Sequence, residues 1–196
     1  MSRLILYMSM SLAGFISGPG DDMDSPFGTG GQRLHAWLRD GGTGPGDLRP
    51  DSGPSQIVYD ESMATGAVVT GRRTGDFVDY WGGDHHDEVP IFVPTHKAPA
   101  ENRYERVHFV TDGIESCVAR AKAAAGDRDV LLHGANTAQE CLKAQVLDVL
   151  EIQLIPVLFG QGRLLFDGFE PGQTELDLVR TLEAPQALHL RYEVRR

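Results

Sequence analysis

Two stretches of this 196-residue chain share one build. In VVTGRRTGDF (68–77) and VLLHGANTAQECLKA (130–144) a short apolar run ends at a glycine, Gly71 or Gly134, and a helical pattern follows. Ala67-Val68-Val69 and Val130-Leu131-Leu132 hold no turn former and no polar alternation, so they read as strands buried on both faces, as in a parallel sheet. After the second glycine, Ala138, Cys141, Leu142 and Val146 fall along one helical face, with Asn136 or Thr137 as the expected cap. Parallel strands need crossover connections, which confines the chain to an α/β fold. If the two strands are neighbours, both helix N-termini open on the crevice at the strands' carboxyl ends and present free N–H groups there. With Arg72 and Arg73 in the first turn, such a pair of corners suits a diphosphate. Taken singly, each corner is an ordinary βα turn, and each arginine an ordinary solvated residue paired with Asp76 or Asp79.

The other segments fill out such a fold. Arg3 to Met10 is the first strand, and GPGDDMDSPFGTGG (18–31) is a loop. Leu34, Trp37 and Leu38 share a helical face, which places Trp37 in the core. A second loop, 41–54, holds five glycines and three prolines and is expected to be irregular throughout. A short helix is expected over 56–65 and strands over 89–96 and 106–111. Asp112 and Glu115 have capping-box spacing for an alanine-rich helix running to Ala125. VLEIQLIPVLFG (149–160) is an apolar run, and TELDLVRTLE and ALHLRYEVRR alternate as half-buried antiparallel strands do. The expected architecture is one α/β domain over 1–196, with a mixed central sheet flanked by helices and closed by antiparallel C-terminal strands.

A net charge of −10 without any Lys/Arg block argues against nucleic acid or an anionic membrane as the main partner and leaves a small molecule. MSRLILYMSMSLAGFISG is broken by Ser9, Ser11 and Gly14, so it reads as a strand rather than a secretion signal, and no stretch is long enough to span a bilayer. Cys117 and Cys141 fall on apolar helix faces, as free thiols of a reducing cytoplasm do. No Cys-x-x-Cys occurs, and GDHHDE (83–88) reads as a solvated loop because adjacent histidines point apart; no metal is expected. The strand near residue 94 ends in Thr95, His96 and Lys97, donors for an extra ribose phosphate or a plain polar strand end.

SMSLAGFISG, VVTGRRTGDF, VPIFVPTH, LLHGANTAQECLKA and VLEIQLIPVLFGQGRLLFDG occur in the order and spacing of the RibD C-terminal (bifunctional deaminase-reductase C-terminal) domain family, which the chain resembles over nearly its whole length. The most specific piece is the Pro-Val-Leu-Phe-Gly-x-Gly-x-x-Leu-Phe segment, 156–166. The resemblance implies a dihydrofolate reductase-like fold and NADPH as cofactor. It implies the nicotinamide beside the first strand and its following loop, with Ala13 and Ile16, and the diphosphate at Gly71, Arg72, Arg73 and Thr74 and at Gly134, Ala135, Asn136 and Thr137. Thr95 and His96 would meet the adenosine phosphate. Relatives often carry Ser-x-Asp-Gly where this chain has Ser11-Leu12-Ala13-Gly14, and Gly-Gly-Gly where it has Gly134-Ala135-Asn136. The carboxylate that dihydrofolate reductases use has no counterpart at Gln32, Arg33 or Leu34, so folate reduction by that mechanism is not expected. The zinc motif of the deaminase half is absent too.

The expected function is that of an NADPH-dependent oxidoreductase passing hydride to a small planar heterocycle, pterin- or pyrimidine-like, or to a conjugated carbonyl or imine. Ser11, His133, His35 and Trp37 are the candidates near the reacting end, with His133 as a proton donor. The missing carboxylates leave a second reading open, a non-catalytic NADP(H)-binding or ligand-sensing protein of the same fold. A third, an interaction domain using its C-terminal strands, implies no nucleotide binding. The alternating C-terminal strands and the apolar run from Ile152 to Phe159 exceed what one small domain easily covers and, with the family's habit of pairing, lead us to expect a homodimer.

Overall fold

The computed structural model of the chain describes residues 2–39, 49–50, 52–167 and 173–195. In chain order its elements are β1 (Leu4–Ser11), β2 (Phe15–Ser17), α1 (Gly53–Met63), β3 (Ala67–Thr70), α2 (Arg72–Phe77), β4 (Ile91–Pro94) and β5 (Val107–Val110). They continue with α3 (Ile114–Ala125), β6 (Val130–His133), α4 (Ala135–Lys143), β7 (Val149–Ile155), β8 (Arg163–Leu164), β9 (Leu176–Ala184) and β10 (Ala187–Val194). Eight strands form one mixed sheet in the order β5-β4-β3-β6-β1-β7-β10-β9, so the fold is α/β with a mostly parallel centre and an antiparallel C-terminal pair. The chain divides into two compact units, 1–6 with 63–149 and 196, and 7–62 with 150–195.

The first unit is the parallel part. β6 pairs in parallel with β3 and with the start of β1, β3 with β4, and β4 with β5. Every residue of β3 is buried, as is Val130-Leu131-Leu132 of β6, which is why neither strand alternates. The face of α3 bearing Cys117, Val118, Ala121 and Ala125 covers β3 and β4. Burial pushes the Cys117 and Cys141 thiols up to about 12, which makes both inert. Asp148 fastens the start of β1 by accepting the Leu4 N–H at 2.7 Å and Lys122 Nζ at 2.6 Å.

The second unit is built around β7, whose residues are almost all buried, Glu151 and Gln153 included. Glu151 is fully enclosed and survives there as part of a neutral ring. Arg191 Nε donates to it at 2.5 Å and Arg180 Nη2 at 3.1 Å. Both arginines also reach Glu61 of α1, at 2.6 Å and 2.9 Å, and Arg191 contacts the Tyr7 hydroxyl at 3.2 Å. Burial raises the Glu151 pKa, and the two arginines offset only part of that rise. Residues 31–39 form a 3-10 helix, whose three-residue period puts Gly31, Leu34 and Trp37 on its buried face and leaves Leu38 half-buried.

Several local expectations change. α1 begins at Gly53 rather than 56, because Pro54 suits a first helical turn, so the end of the 41–54 loop is helical. Residues 41–48 and 51 of that loop lie outside the described residues. The capping box does not form: Gly113 precedes α3 with φ 104, and Asp112 instead accepts from Ser116 Oγ and Arg120. Neither Asn136 nor Thr137 caps α4, since the helix already starts at Ala135, and Val146 lies past its end. The apolar run 152–159 is strand only as far as Ile155: Ile152 and Ile155 are buried, and Leu158 beyond the strand is exposed. The strand half of the run serves the core rather than a dimer, while Leu158 and, on β9, Leu176, Leu178 and Val179 are exposed.

Removing one member of the ring should be costlier than removing a pair. Glu151→Met leaves arginine charge uncompensated in the interior and is expected to lower the unfolding free energy by about 3–5 kcal/mol. Glu151→Met with Arg191→Met should recover a large part of it in urea denaturation. A single variant as stable as the parent would contradict the account.

Candidate functional site

The two glycine corners meet. β3 and β6 pair with Thr70 opposite His133, so Gly71 and Gly134 follow at the same level, and the Gly71 N–H donates to the His133 carbonyl at 3.2 Å. Gly134 has φ +102, and a Cβ there would stand 3.0 Å from Thr74 Oγ1 and 3.4 Å from the Gly71 nitrogen. Gly71 has an ordinary backbone, φ −64 and ψ 148, and needs its small size for a different reason: a Cβ would lie 2.6 Å from Thr137 Oγ1. The intrahelical bonds begin with Gly75 N–H to Gly71 and Ala138 N–H to Gly134. The N–H groups of residues 72–74 and 135–137 thus precede the first intrahelical donor of each helix. Beside them the Thr70 hydroxyl is fully buried without a hydrogen-bond partner. Such a cradle fits an anionic group held by backbone.

The side chains of the corners do less than expected. Arg72 Nε chelates Asp76 at 2.9 Å to both oxygens and its guanidinium stands 5.4 Å over the Phe109 ring, while Arg73 lies 4.4 Å over Phe77. Each arginine is thus engaged with a helix-face neighbour, and the hydrogen bond to Asp76 raises the Arg72 pKa further. Ala135 and Thr137 are buried, whereas Asn136 is exposed. Thr95 follows β4, and its hydroxyl donates to the Lys97 carbonyl at 3.1 Å, so it shapes a turn with His96 and Lys97 exposed beyond it.

GDHHDE is a correction. His85 and His86 are half-buried rather than solvated, and His85 lies against His133, Nε2 to Nε2 at 3.2 Å. Trp81 packs its ring on both His85 and His133, at 4.5 Å and 5.7 Å. Burial first, then the charges of His133 and His86, push the His85 pKa down to about 2. Among the described residues no group of three His, Cys, Asp or Glu is placed to hold a metal ion.

In the second unit, Ser11 is fully buried at the end of β1, and its Oγ accepts the Phe15 N–H at 3.0 Å, closing the turn that carries the exposed Ala13. Ile16 is half-buried in β2. Trp37 is a core residue whose Nε1 donates to Ser9 Oγ at 2.8 Å, and its ring meets His189 edge-on at 5.1 Å. His189 Nε2 lies 3.2 Å from Ser55 Oγ, and burial keeps the ring neutral, its pKa lowered to about 4. His35 packs on Phe27 at 4.6 Å, and burial likewise lowers its pKa to about 4.

A family model described as the RibD C-terminal domain matches residues 2–190. The chain belongs to that family. A curated relative, the uncharacterized protein YwjB of Bacillus subtilis (strain 168), is 27% identical over 197 residues, covering 97% of each chain. Among solved structures, a putative riboflavin biosynthesis protein from Shewanella sp. PV-4 superposes over 100% of both chains with a TM-score of 0.71 and 22% identity. Dihydrofolate reductase from Enterococcus faecalis, solved with NADP(H), matches 99% of this chain and 97% of its own with a TM-score of 0.56 and 16% identity. The fold of this family member is thus also that of dihydrofolate reductase. Among the described residues no helix is long and apolar enough to cross a membrane.

Sequence reasoning missed that Thr70, Trp81, His85 and His86 stand beside the corners. The HisHis pair was visible, but its contact with His133, 48 residues away, depends on where β6 sits. The crowding at the corner yields a direct check. Gly71→Ala should destabilise the protein by about 1–3 kcal/mol through overpacking against Thr137, and adding Thr137→Ala should restore most of that loss in chemical denaturation. Equal stability of Gly71→Ala and parent would show that the corners do not meet as described.

Proposed function

We propose that this chain is an NADPH-dependent reductase that passes hydride to a small planar heterocycle, pterin- or pyrimidine-like, or to a conjugated carbonyl or imine. The observation that supports it most is the pair of abutting corners, where a Cβ on Gly71 would press on Thr137, Gly134 has φ +102 against Thr74, and two sets of helix N–H groups follow at one level. NADPH, when bound, supplies the hydride. In this reading the backbone N–H groups of residues 72–74 and 135–137 hold the diphosphate, and the buried Thr70 hydroxyl gains a partner. Because Arg72 and Arg73 are engaged with Asp76 and Phe77, the backbone bears most of that binding. His96 and Lys97 meet the adenosine phosphate, with Thr95 setting their turn. Ala13 and Ile16 keep the nicotinamide-side role that the family resemblance gives them, and Ser11 sets the turn that carries Ala13.

His133 is the proton-handling candidate, as its ring follows the last buried position of β6 and directly precedes Gly134. A cytoplasmic location and a homodimer belong to the same reading, supported by two free buried cysteines and by the apolar side chains on β9. The absence of a carboxylate at Gln32, Arg33 and Leu34 favours the non-catalytic nucleotide-binding alternative. Steady NADPH consumption with any member of a pterin, pyrimidine and quinone panel decides for the enzyme.

Fluorescence titration should show NADPH binding more tightly than NADH, with the preference lost in a His96→Ala, Lys97→Ala double variant. Asn136→Glu places a carboxylate against the phosphates from an exposed first-turn position, where an acid otherwise suits the helix. It should weaken NADPH at least about tenfold, or roughly 1.4 kcal/mol, with unchanged thermal unfolding. Unchanged affinity in Asn136→Glu would remove the corners from the binding site.

A further inference from the structure

The histidines beside the Gly134 corner form one hydrogen-bonded chain, and its direction follows from a single oxygen. The Thr65 carbonyl has no hydrogen, so His86 Nε2, 3.1 Å away, must be the donor. In a neutral His86 ring Nδ1 is then the acceptor, which makes His85 Nδ1 the donor across 2.7 Å. His85 Nε2 in turn carries the lone pair, and His133 Nε2 donates to it across 3.2 Å. Neutral His133 is therefore the Nε2–H tautomer, with Nδ1 as its basic nitrogen.

A proton added at Nδ1 of His133 reverses the chain. His133 passes its Nε2 hydrogen to His85 Nε2, His85 passes its Nδ1 hydrogen to His86 Nδ1, and the charge comes to rest on His86, both of whose nitrogens then carry hydrogen. One proton has entered and nothing has left. When His133 Nδ1 gives the proton up, the same transfers run backwards. His85 relays the charge without holding it, because its own imidazolium is strongly disfavoured by burial. The Thr65 carbonyl and hydroxyl lie 3.1 Å and 3.2 Å from His86 Nε2.

The backbone around the chain is held in an unusual form. Asp79, Tyr80, Trp81, Asp87 and Glu88 have φ of 45, 51, 54, 44 and 58, left-handed for non-glycine residues, on both sides of His85-His86. The Tyr80 ring closes on Gly75 so tightly that a Cβ there would lie 2.3 Å from it, and it meets Phe109 edge-on at 5.6 Å. That anchor lays Trp81 over His85 and His133. The carboxylates of the segment have other partners or face solvent. Asp76 takes Arg72 and the Tyr80 hydroxyl, Asp79 takes Arg103 and Tyr104, Asp84 accepts the Glu88 N–H, Glu88 pairs with Arg106, and Asp87 is exposed.

We propose that Thr65, His86 and His85 are positioning residues that couple the tautomer of His133 to the charge on His86, so that His133 stores and returns one proton through Nδ1 beside the Gly134 corner. Use of that proton in hydride transfer rests on the reductase reading; the coupling itself can be read in the protein without nucleotide. Nitrogen–proton correlation spectra of the 15N-labelled imidazoles across pH are the test. At high pH His133 should be Nε2–H, and as pH falls His86 should gain hydrogen on both nitrogens while His133 becomes Nδ1–H. In His86→Gln the amide can donate to Thr65 and accept from His85 but takes up no proton, so His133 should stay Nε2–H through the same range. Nδ1–H at high pH, an imidazolium at His133 with His86 neutral, or a tautomer switch that survives in His86→Gln overturns the proposal. A protein that shows the switch yet binds no NADPH supports the coupling and refutes the reductase reading.

Discussion

The parallel pairing of β3 with β6 is the constraint on which the candidate site depends. With Ala67 opposite Val130 and Thr70 opposite His133, both strands end at one level. Gly71 can then abut Gly134, Thr137 can face Gly71, and Thr74 can face Gly134. A slip of one residue would turn every side chain of one strand to the other face. It would also separate the corners and carry His133 away from His85. Uniformly apolar strands specify no face by alternation, so the register here is set by the corners themselves and by the strands on either side, β4 at Ile91 and β1 at Leu4.

Two different solutions to burying polarity coexist. In the second unit, Glu151 sits in an almost wholly buried strand and is met by Arg180 and Arg191, whose second charge is balanced by Glu61, two charges of each sign in all. Ionised groups in the interior are tolerated only when so matched. In the first unit three half-buried imidazoles are hydrogen-bonded in series from the Thr65 carbonyl to His133. The ion ring holds its charges in place, whereas the imidazole series can change state with the arrival of one proton. The imidazole series ends at His133, the residue before Gly134.

Local chemistry was well written in the sequence. The buried strands, the two glycine turns, the alternating C-terminal pair and the core placement of Trp37 follow from periodicity and turn residues, which act within a few positions. The errors were local competitions decided elsewhere. Asp112 matched a capping box, yet Gly113 in a left-handed conformation ends the turn and sends the carboxylate to Ser116 and Arg120. The 3-10 form of residues 31–39 buries every third residue, a period that Leu34 and Trp37 fit as well as a helical one.

By itself, then, the sequence determined the α/β class, the family and the backbone corners, since glycine spacing and apolar runs carry that information without reference to the rest of the chain. Partnership was decided by the tertiary structure. Arg72 could have faced a ligand or Asp76, and it chelates Asp76. Glu151 meets Arg191 only because β7 and the C-terminal strands lie in one unit, 40 residues apart in the chain. His85 meets His133 across 48 residues. Such contacts depend on strand order and on which face each strand turns inward, and a fully buried strand, apolar on both sides, leaves no mark in its own sequence of what lies across from it.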